Sequence, residues 1–284
     1  MNWLRGFCLV LPALFSGALG VAGEPAPEGV EIAQGGRVSV KDCRTLSEAE
    51  FREIRKLETT KTLAFGAGLD DAKLGILAGL PAVESIVTNQ MTVSDAGIGL
   101  LATFPALRNA TFFHPGKTFT GQGLAGLAAL PNLETLTVAG SLAFSDAGLA
   151  AVAELSHLKQ FRTWHTGVTT EGIKALRALK ELKSLTVGQS LSMQPPAALR
   201  DESVAALAEI SSLESLTLQE ARLSLPALLQ LKRISHLRRL NLDGIDLSES
   251  DLAELQKQLP AVEIKWTPPS DSGRRRIESL FGPR

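Results

Sequence analysis

The sequence is poor in cysteine and has no excess of charge of either sign. It contains two cysteines in 284 residues, and the first, Cys8, lies in an apolar N-terminal stretch that we expect to be removed. Cys43 then has no partner for an internal disulfide, so stability must come from packing. The 29 basic and 30 acidic residues leave a formal net charge of -1. With this balance, nucleic acid and anionic membranes are not expected as partners.

The N-terminal 23 residues form a segment of their own. One positive charge precedes an apolar run over residues 6–20, and small residues stand just before Glu24. This order is typical of a secretory signal peptide cleaved near Gly23, although the run is nearly long enough to be retained as a membrane anchor. We expect an exported protein, located in the periplasm, at the cell surface or outside the cell, with a flexible mature N-terminus over residues 24–34. No later segment is apolar and long enough to cross a membrane.

A unit of about 25 residues recurs along residues 35–266. It begins with alternating apolar residues such as Leu136 and Val138, which is typical of a strand, and it ends with helical spacing, as at Leu149 and Val152. The repeats start at Leu57, Leu80, Phe104, Leu130, Leu155, Leu179, Ile210, Ile234 and Leu259, after an earlier degenerate unit. Self-similarity at this period predicts a solenoid whose stacked units share one core, with parallel strands inside and helices outside.

Local signals mark where each helix starts and where the repeat is interrupted. Ser94 and Ser145 both open the segment SDAG, in which the hydroxyl can accept a helix N–H and the acid suits the positive helix end. The longest spacing, between Leu179 and Ile210, contains two adjacent prolines. Proline removes a backbone donor, so we predict an exposed loop over residues 191–199.

The pattern L-x-x-L-x-L followed by S-D-A-G-L resembles the leucine-rich repeat family, in particular the cysteine-containing, ribonuclease-inhibitor-like subtype. The resemblance implies an exported, bacterial-type protein of the α/β class. Its fold would be a solenoid of about nine repeats, with a curved parallel sheet on the inner face and helices on the outer face. At the turn position where the family has Cys or Asn, only Cys43 matches. The other units carry Gly68, Met91, Ser141, Thr166, Ser190, Ala221 and Ile245 there. We therefore expect irregular turns, with Cys43 a buried turn residue rather than a reactive thiol.

Motifs of catalytic and metal sites are missing. The sequence has no nucleophile elbow, no phosphate-binding loop and no cysteine pair spaced for a metal. His157 and His236 share one position of the repeat, which indicates a framework role. His114 and His165 share another and would lie about 10 Å apart, with no third or fourth ligand in view. We expect no enzyme activity, no cofactor and no metal site.

The residues between the apolar strand positions face the inner curve in two rows. The central row is Ala64, Val87, Thr111, Thr137, Arg162, Thr186, Thr217 and Asn241, and the neighbouring row is Gly66, Asn89, Phe113, Ala139, Trp164, Gly188, Gln219 and Asp243. Most of these side chains are small or polar and need no ligand to explain them. Phe113 and Trp164 are large aromatic exceptions.

We interpret Phe113 and Trp164 as the two sides of a shallow slot above Ala139. Their backbones would lie about 10 Å apart, which leaves room for one inserted side chain of a partner. Clusters of Trp, other aromatics and Arg form the energetic centres of many protein interfaces. The candidate partner-binding residues are Phe113, Trp164, His114, His165, Arg162 and Ala139. Alternatively, the loop over residues 112–119 folds over the slot and covers both rings.

The resemblance and the inner face together imply a non-enzymatic protein that binds another macromolecule, a protein in the first instance, through the concave face. The alternative is a structural or self-associating envelope scaffold that uses its outer helical face. Helices of the first half carry Ala and Gly where a solvated face usually carries Lys or Glu, although the helix propensity of Ala explains this equally well. Residues 267–284 have a linker-like composition followed by Arg274, Arg275 and Arg276. We predict a disordered basic tail there, with a docking peptide as the alternative.

Overall fold

Each repeat forms a strand, a turn and a short helix. The computed structural model describes residues 28–189 and 197–283, and their eleven strands lie side by side in chain order. The strands are β1 (Val30–Ala33), β2 (Arg37–Asp42), β3 (Thr62–Ala67), β4 (Ser85–Asn89), β5 (Asn109–Phe113), β6 (Thr135–Ala139), β7 (Gln160–Trp164), β8 (Ser184–Gly188), β9 (Ser215–Gln219), β10 (Arg239–Asp243) and β11 (Glu263–Thr267). All neighbours from β2 to β11 are parallel. The predicted α/β leucine-rich-repeat solenoid is confirmed.

Helices connect the strands on the other side of the sheet. The α-helices are α1 (Glu48–Arg55), α2 (Asp71–Leu77), α3 (Asp95–Gly99), α4 (Asp146–Val152), α5 (Thr170–Ala175), α6 (Asp201–Leu207), α7 (Leu225–Leu229), α8 (Glu249–Gln258) and α9 (Asp271–Phe281). Shorter 3₁₀ segments are Cys43–Thr45, Leu100–Thr103, Gln122–Ala129, Leu176–Ala178 and Gln230–Arg233. None of the helices in the described ranges has the length and hydrophobicity needed to cross a bilayer.

A continuous hydrophobic core separates the sheet from the helices. Leu136 and Val138 of β6 point into it, as do Leu149 and Val152 of α4, and all four are fully buried. Their equivalents in adjacent repeats are also buried, so each unit packs against the next. Burying one such side chain stabilises the fold by about 1.5–3 kcal/mol relative to exposure. A single unit could not form this core, which is why the repeat must be stacked.

The acidic residue that starts a helix also binds the next repeat, which the sequence analysis did not predict. The carboxylate of Asp71 accepts hydrogen bonds from the backbone N–H of Ser94 at 2.8 Å and from its hydroxyl at 2.6 Å. Equivalent pairs of bonds join Asp95 to Thr120 and Asp146 to Thr169, and Asp201 accepts the backbone N–H of Ser224. In the two SDAG segments the aspartate therefore links neighbouring units. The expected cap forms at Ser94, whose hydroxyl accepts the N–H of Gly97, but Ser145 makes no side-chain cap hydrogen bond.

Cys43 is the one cysteine among the described residues, and its role is structural. Cys43 begins a 3₁₀ segment after β2 and is fully buried. Burial raises the pKa of its thiol to about 12, so the thiol stays protonated at neutral pH and is a poor nucleophile. The prediction of a buried turn residue is confirmed.

The two ends of the solenoid are more ordered than the sequence predicted. The expectation of a flexible segment over residues 24–34 is wrong for Val30–Ala33, because β1 pairs with β2 in the antiparallel sense and buries Val30. This pairing covers the otherwise free edge of β2. The predicted disordered tail is wrong as well, because α9 forms and buries Ile277 and Leu280 at 1% and 8% exposure.

Most of the predicted exposed loop over residues 191–199 lies outside the described residues. Its last part, residues 197–199, is described and is buried rather than exposed. The reason is the side-chain amide of Gln189, which accepts the N–H of Ala198 at 2.6 Å and donates to the carbonyl of Leu199 at 3.1 Å. The prediction of exposure is wrong for these three residues.

Candidate functional site

The sheet register aligns the inner-face residues as the repeat pattern predicts. The direct neighbours in the central row run Ala64, Val87, Thr111, Thr137, Arg162, Thr186, Thr217 and Asn241. In the neighbouring row, Asn89, Phe113, Ala139 and Trp164 are aligned in the same way. Because side chains alternate along a strand, these residues face away from the core. Strands β5, β6 and β7 therefore bring the candidate residues Phe113, Ala139, Arg162 and Trp164 onto one surface.

Phe113 and Trp164, which we call the aromatic pair, contact each other above β6. Their ring centroids are 6.1 Å apart and the ring planes meet at 55°, a favourable tilted arrangement for aromatic rings. Ala139 lies between them and is only 2% exposed. The predicted slot is therefore closed. The reason is that both side chains are long enough to reach across one intervening strand, and ring contact removes apolar surface from water.

The loop that follows β5 does not cover the aromatic pair. Phe119 points into the core, where its ring centroid lies 5.5 Å from that of Phe112 and 6.1 Å from that of Phe144. Phe113 and Trp164 both remain partly exposed. The aromatic pair is thus a formed apolar platform on the inner face.

His114 lies at one side of the aromatic pair, in the left-handed backbone region with φ of 46°. Its Nδ1 is 3.0 Å from Oδ1 of Asn89, so Nδ1 carries the proton and donates it. The imidazole lies over Gly140, where an added Cβ would be 2.5 Å from the ring. Glycine at position 140 therefore makes room for His114, which is itself exposed.

His165 borders the other side and belongs to a charged cluster that the sequence analysis missed. Its Nε2 is 3.0 Å from Oε2 of Glu220, and a guanidinium nitrogen of Arg276 donates to the same oxygen at 3.0 Å. Burial by itself raises the pKa of the Glu220 carboxyl, but the hydrogen bond from His165 and the charges of His165 and Arg276 outweigh it and lower that pKa. The cluster attaches α9 to the edge of the inner face beside Trp164.

The spacing of Ile277, Leu280 and Phe281 on one side of a helix was the available signal for α9. Nothing in the sequence points to Glu220 as its partner, since Arg276 and Glu220 are 56 residues apart. The linker-like composition before Arg274 favoured a disordered basic tail over this apolar spacing.

Arg162 is exposed on β7, two residues before Trp164 and on the same face. Within the described part of the chain its guanidinium makes no hydrogen bond and no ion pair. Arginine stacks on aromatic rings and binds carboxylates in a bidentate manner. Arg162 is therefore free to act as a polar contact next to the aromatic pair.

Among the described residues, the other places where chemistry could occur would be a metal site or a cleft away from the aromatic pair. No group of three His, Cys, Asp or Glu side chains in residues 28–189 and 197–283 could hold a metal ion. An open cleft of about 690 Å³ lies elsewhere, between the starts of α6 and α7 and the end of α9. Within it, Arg222 and Asp246 neutralise each other through a 2.8 Å ion pair.

Comparisons with known proteins support the fold. No family model matches the sequence, and no curated protein matches it. The structure is similar to that of an internalin (inlF) from Listeria monocytogenes, with 17% identity and a TM-score of 0.52 over 85% of this chain and 63% of the internalin chain. This chain therefore spans less than two thirds of the internalin's length. A chain of the Rad7 and Elc1 complex in yeast gives 14% identity and a TM-score of 0.48 over 80% of this chain and 68% of its own. At 17% identity the likeness to the internalin concerns the fold alone.

Proposed function

We propose that this protein is a non-enzymatic leucine-rich-repeat protein that binds a protein partner through the inner face of β5, β6 and β7. The observation that carries the proposal is the contact of Phe113 with Trp164 above Ala139. The surrounding inner face consists mainly of small and polar residues, which are expected on the solvent-facing side of a parallel sheet. A solvent-facing sheet does not require two partly exposed aromatic rings, so the aromatic pair needs a separate explanation.

The aromatic pair has the properties of an interface centre. Each ring restrains the other, so little side-chain freedom remains to be lost when a partner binds. Large aromatic side chains are the commonest centres of binding energy, and replacing one by alanine typically costs about 2 kcal/mol or more of affinity. His114 and Arg162 add polar groups on either side of the platform.

Export and the repeat subtype are further parts of this proposal. Export is supported by the order of charge, apolar run and small residues within residues 1–23, which lie outside the described residues. The cysteine-containing, ribonuclease-inhibitor-like subtype is supported by the repeated SDAG segments and by Cys43. N-terminal sequencing of the protein recovered from the envelope or medium should give a sequence that begins near Glu24. Recovery of a chain that still begins at Met1 would argue for a retained anchor.

Affinity capture with matched variants tests the binding proposal. Purified protein would be immobilised as wild type, Trp164→Ala and Phe113→Ala, with Thr217→Ala on β9 as an inner-face control that lies away from the aromatic pair. Proteins retained from an envelope extract would be quantified by mass spectrometry. A partner should be captured by the wild type and by Thr217→Ala, and should be lost from both aromatic variants.

Thermal unfolding of each variant accompanies the capture. We expect all four proteins to fold, because both rings are partly exposed and lie outside the core. A folded Trp164→Ala protein that captures the same proteins in the same amounts as the wild type would contradict the proposed site.

A further inference from the structure

Arg162 is the only charged side chain on the inner face of strands β3 to β9, all of which the structure describes. The register places three inward-facing residues on each of these strands. Apart from Arg162, they are Ala, Gly, Val, Ser, Thr, Asn, Gln, Phe and Trp. On these strands the inner face therefore carries one positive charge, and the carboxylate of Glu220, which lies outside the strands beside His165, is bound by His165 and Arg276.

Among the described residues, no carboxylate forms a hydrogen bond or an ion pair with Arg162. Just before the strands begin, Glu134 binds Lys159 at 2.8 Å and Glu214 binds Lys183 at 3.0 Å. The first inner-face carboxylate toward the C-terminus is that of Asp243 on β10, three strands from β7, which is roughly 14 Å. In residues 28–189 and 197–283 Arg162 thus has no anionic partner, unlike Lys159 and Lys183.

The position of Arg162 relative to Trp164 defines a two-part contact. Both side chains leave the same face of β7 two residues apart, a separation of roughly 6.6 Å along the strand. A guanidinium binds a carboxylate through two parallel hydrogen bonds, whereas the rings offer an apolar platform. A ligand that satisfies both must present an anionic group and an apolar group at a similar spacing.

Helix α9 contains three arginines and two acidic residues, Asp271 and Glu278. Arg274 and Arg275 are exposed and form no ion pair within the described residues. They precede Arg276, which is bound to Glu220 beside His165. Because Asp271, Glu278 and the Glu220 bound by Arg276 offset these three arginines, Arg162 is the positive charge on which the contact depends.

We propose that the partner presents an acidic polypeptide segment in which an Asp or Glu lies within a few residues of an aromatic or aliphatic residue. The carboxylate binds Arg162, and the apolar side chain packs on Phe113 and Trp164. This proposal rests on the proposed function, because it uses the same surface, and it adds the chemical character of the partner.

Selection from a library of random 12-residue peptides displayed on phage tests the proposal. Peptides that bind the immobilised wild-type protein should be enriched in Asp or Glu close to an aromatic or aliphatic residue. Binding of the selected pool should fall about tenfold or more in Arg162→Gln, as expected when a charged hydrogen-bonded pair is lost. Arg233→Gln provides the matched control, because Arg233 is exposed and lies in the segment Gln230–Arg233 between α7 and β10.

The outcomes separate the two proposals. If pool binding depends on Trp164 but is equal in Arg162→Gln and Arg233→Gln, the aromatic site stands and the acidic partner is refuted. If Trp164→Ala leaves pool binding unchanged, the proposed binding surface itself fails. A library that yields no peptide whose binding responds to Arg162→Gln also overturns the acidic partner.

Discussion

Removal of the Asp146 side chain should weaken the contact between two repeats. Its carboxylate accepts the backbone N–H of Thr169 at 2.7 Å and the Thr169 hydroxyl at 2.6 Å. It also packs on Gly172, where an added Cβ would lie 2.3 Å from its oxygen. In Asp146→Ala, the Thr169 N–H loses its acceptor and a small space opens beside Gly172. The damage therefore falls on the interface between the repeats that contain α4 and α5.

The size of the effect follows from these two bonds. A hydrogen bond to a charged group contributes about 1.5–3 kcal/mol. Asp146 and Thr169 are both partly accessible, so water can hydrogen-bond to Thr169 in the variant and reduce the lost stability. We expect Asp146→Ala to lower the free energy of unfolding by about 2–4 kcal/mol, measured by urea denaturation followed by circular dichroism. Stacked repeats are stabilised largely by their interfaces, so the unfolding transition should also broaden.

Glu171→Ala is the matched control for this prediction. Glu171 is an exposed acid in the first turn of the next helix, and among the described residues its side chain binds Lys174 alone, at 2.6 Å. Its removal should change the free energy of unfolding by less than about 1 kcal/mol. If Asp146→Ala and Glu171→Ala cost the same, the carboxylate of Asp146 does not link the repeats and the reasoning is refuted.

Three further predictions concern the charged cluster, the turn at Gly140 and the assembly state. Because the pKa of Glu220 is lowered by folding, its stabilisation is complete above about pH 4.5 and is lost as pH falls below that value. The hydrogen-exchange protection factors of α9, which are corrected for the intrinsic pH dependence of exchange, should therefore fall there in the wild type and should be low at all pH values in Glu220→Gln. Gly140→Ala should destabilise the fold by about 1–3 kcal/mol, because the φ angle of Gly140 is 78° and the new Cβ would meet the His114 ring. A melting temperature equal to that of the wild type would exclude that contact. Sedimentation at high dilution should give a monomer, whereas a persistent oligomer would favour the alternative of a scaffold that self-associates through its outer helices.

The prediction of an open slot between Phe113 and Trp164 was wrong because several strands together determine where the rings lie. The alternation of Leu136 and Val138 and the spacing of Leu149 and Val152 identify strand and helix because those patterns repeat locally. The closing of the rings over Ala139 depends on side-chain conformations of three strands at once, which no single repeat encodes. Two strand spacings separate the backbones of Phe113 and Trp164 by about 10 Å, but this separation does not determine where the ring centres lie.

The sequence by itself determined the repeat, the direction of the strands, the two inward-facing rows and the buried state of Cys43. These follow from the period and from the alternation of apolar residues, both of which are local. Only the tertiary structure decided that the aromatic pair forms a platform rather than a slot. It alone also decided that α9 attaches beside Trp164, because Arg276 meets His165 and Glu220 across 111 and 56 residues of chain. Contacts at such separations depend on how the stacked repeats bring distant segments together, and no local pattern specifies them.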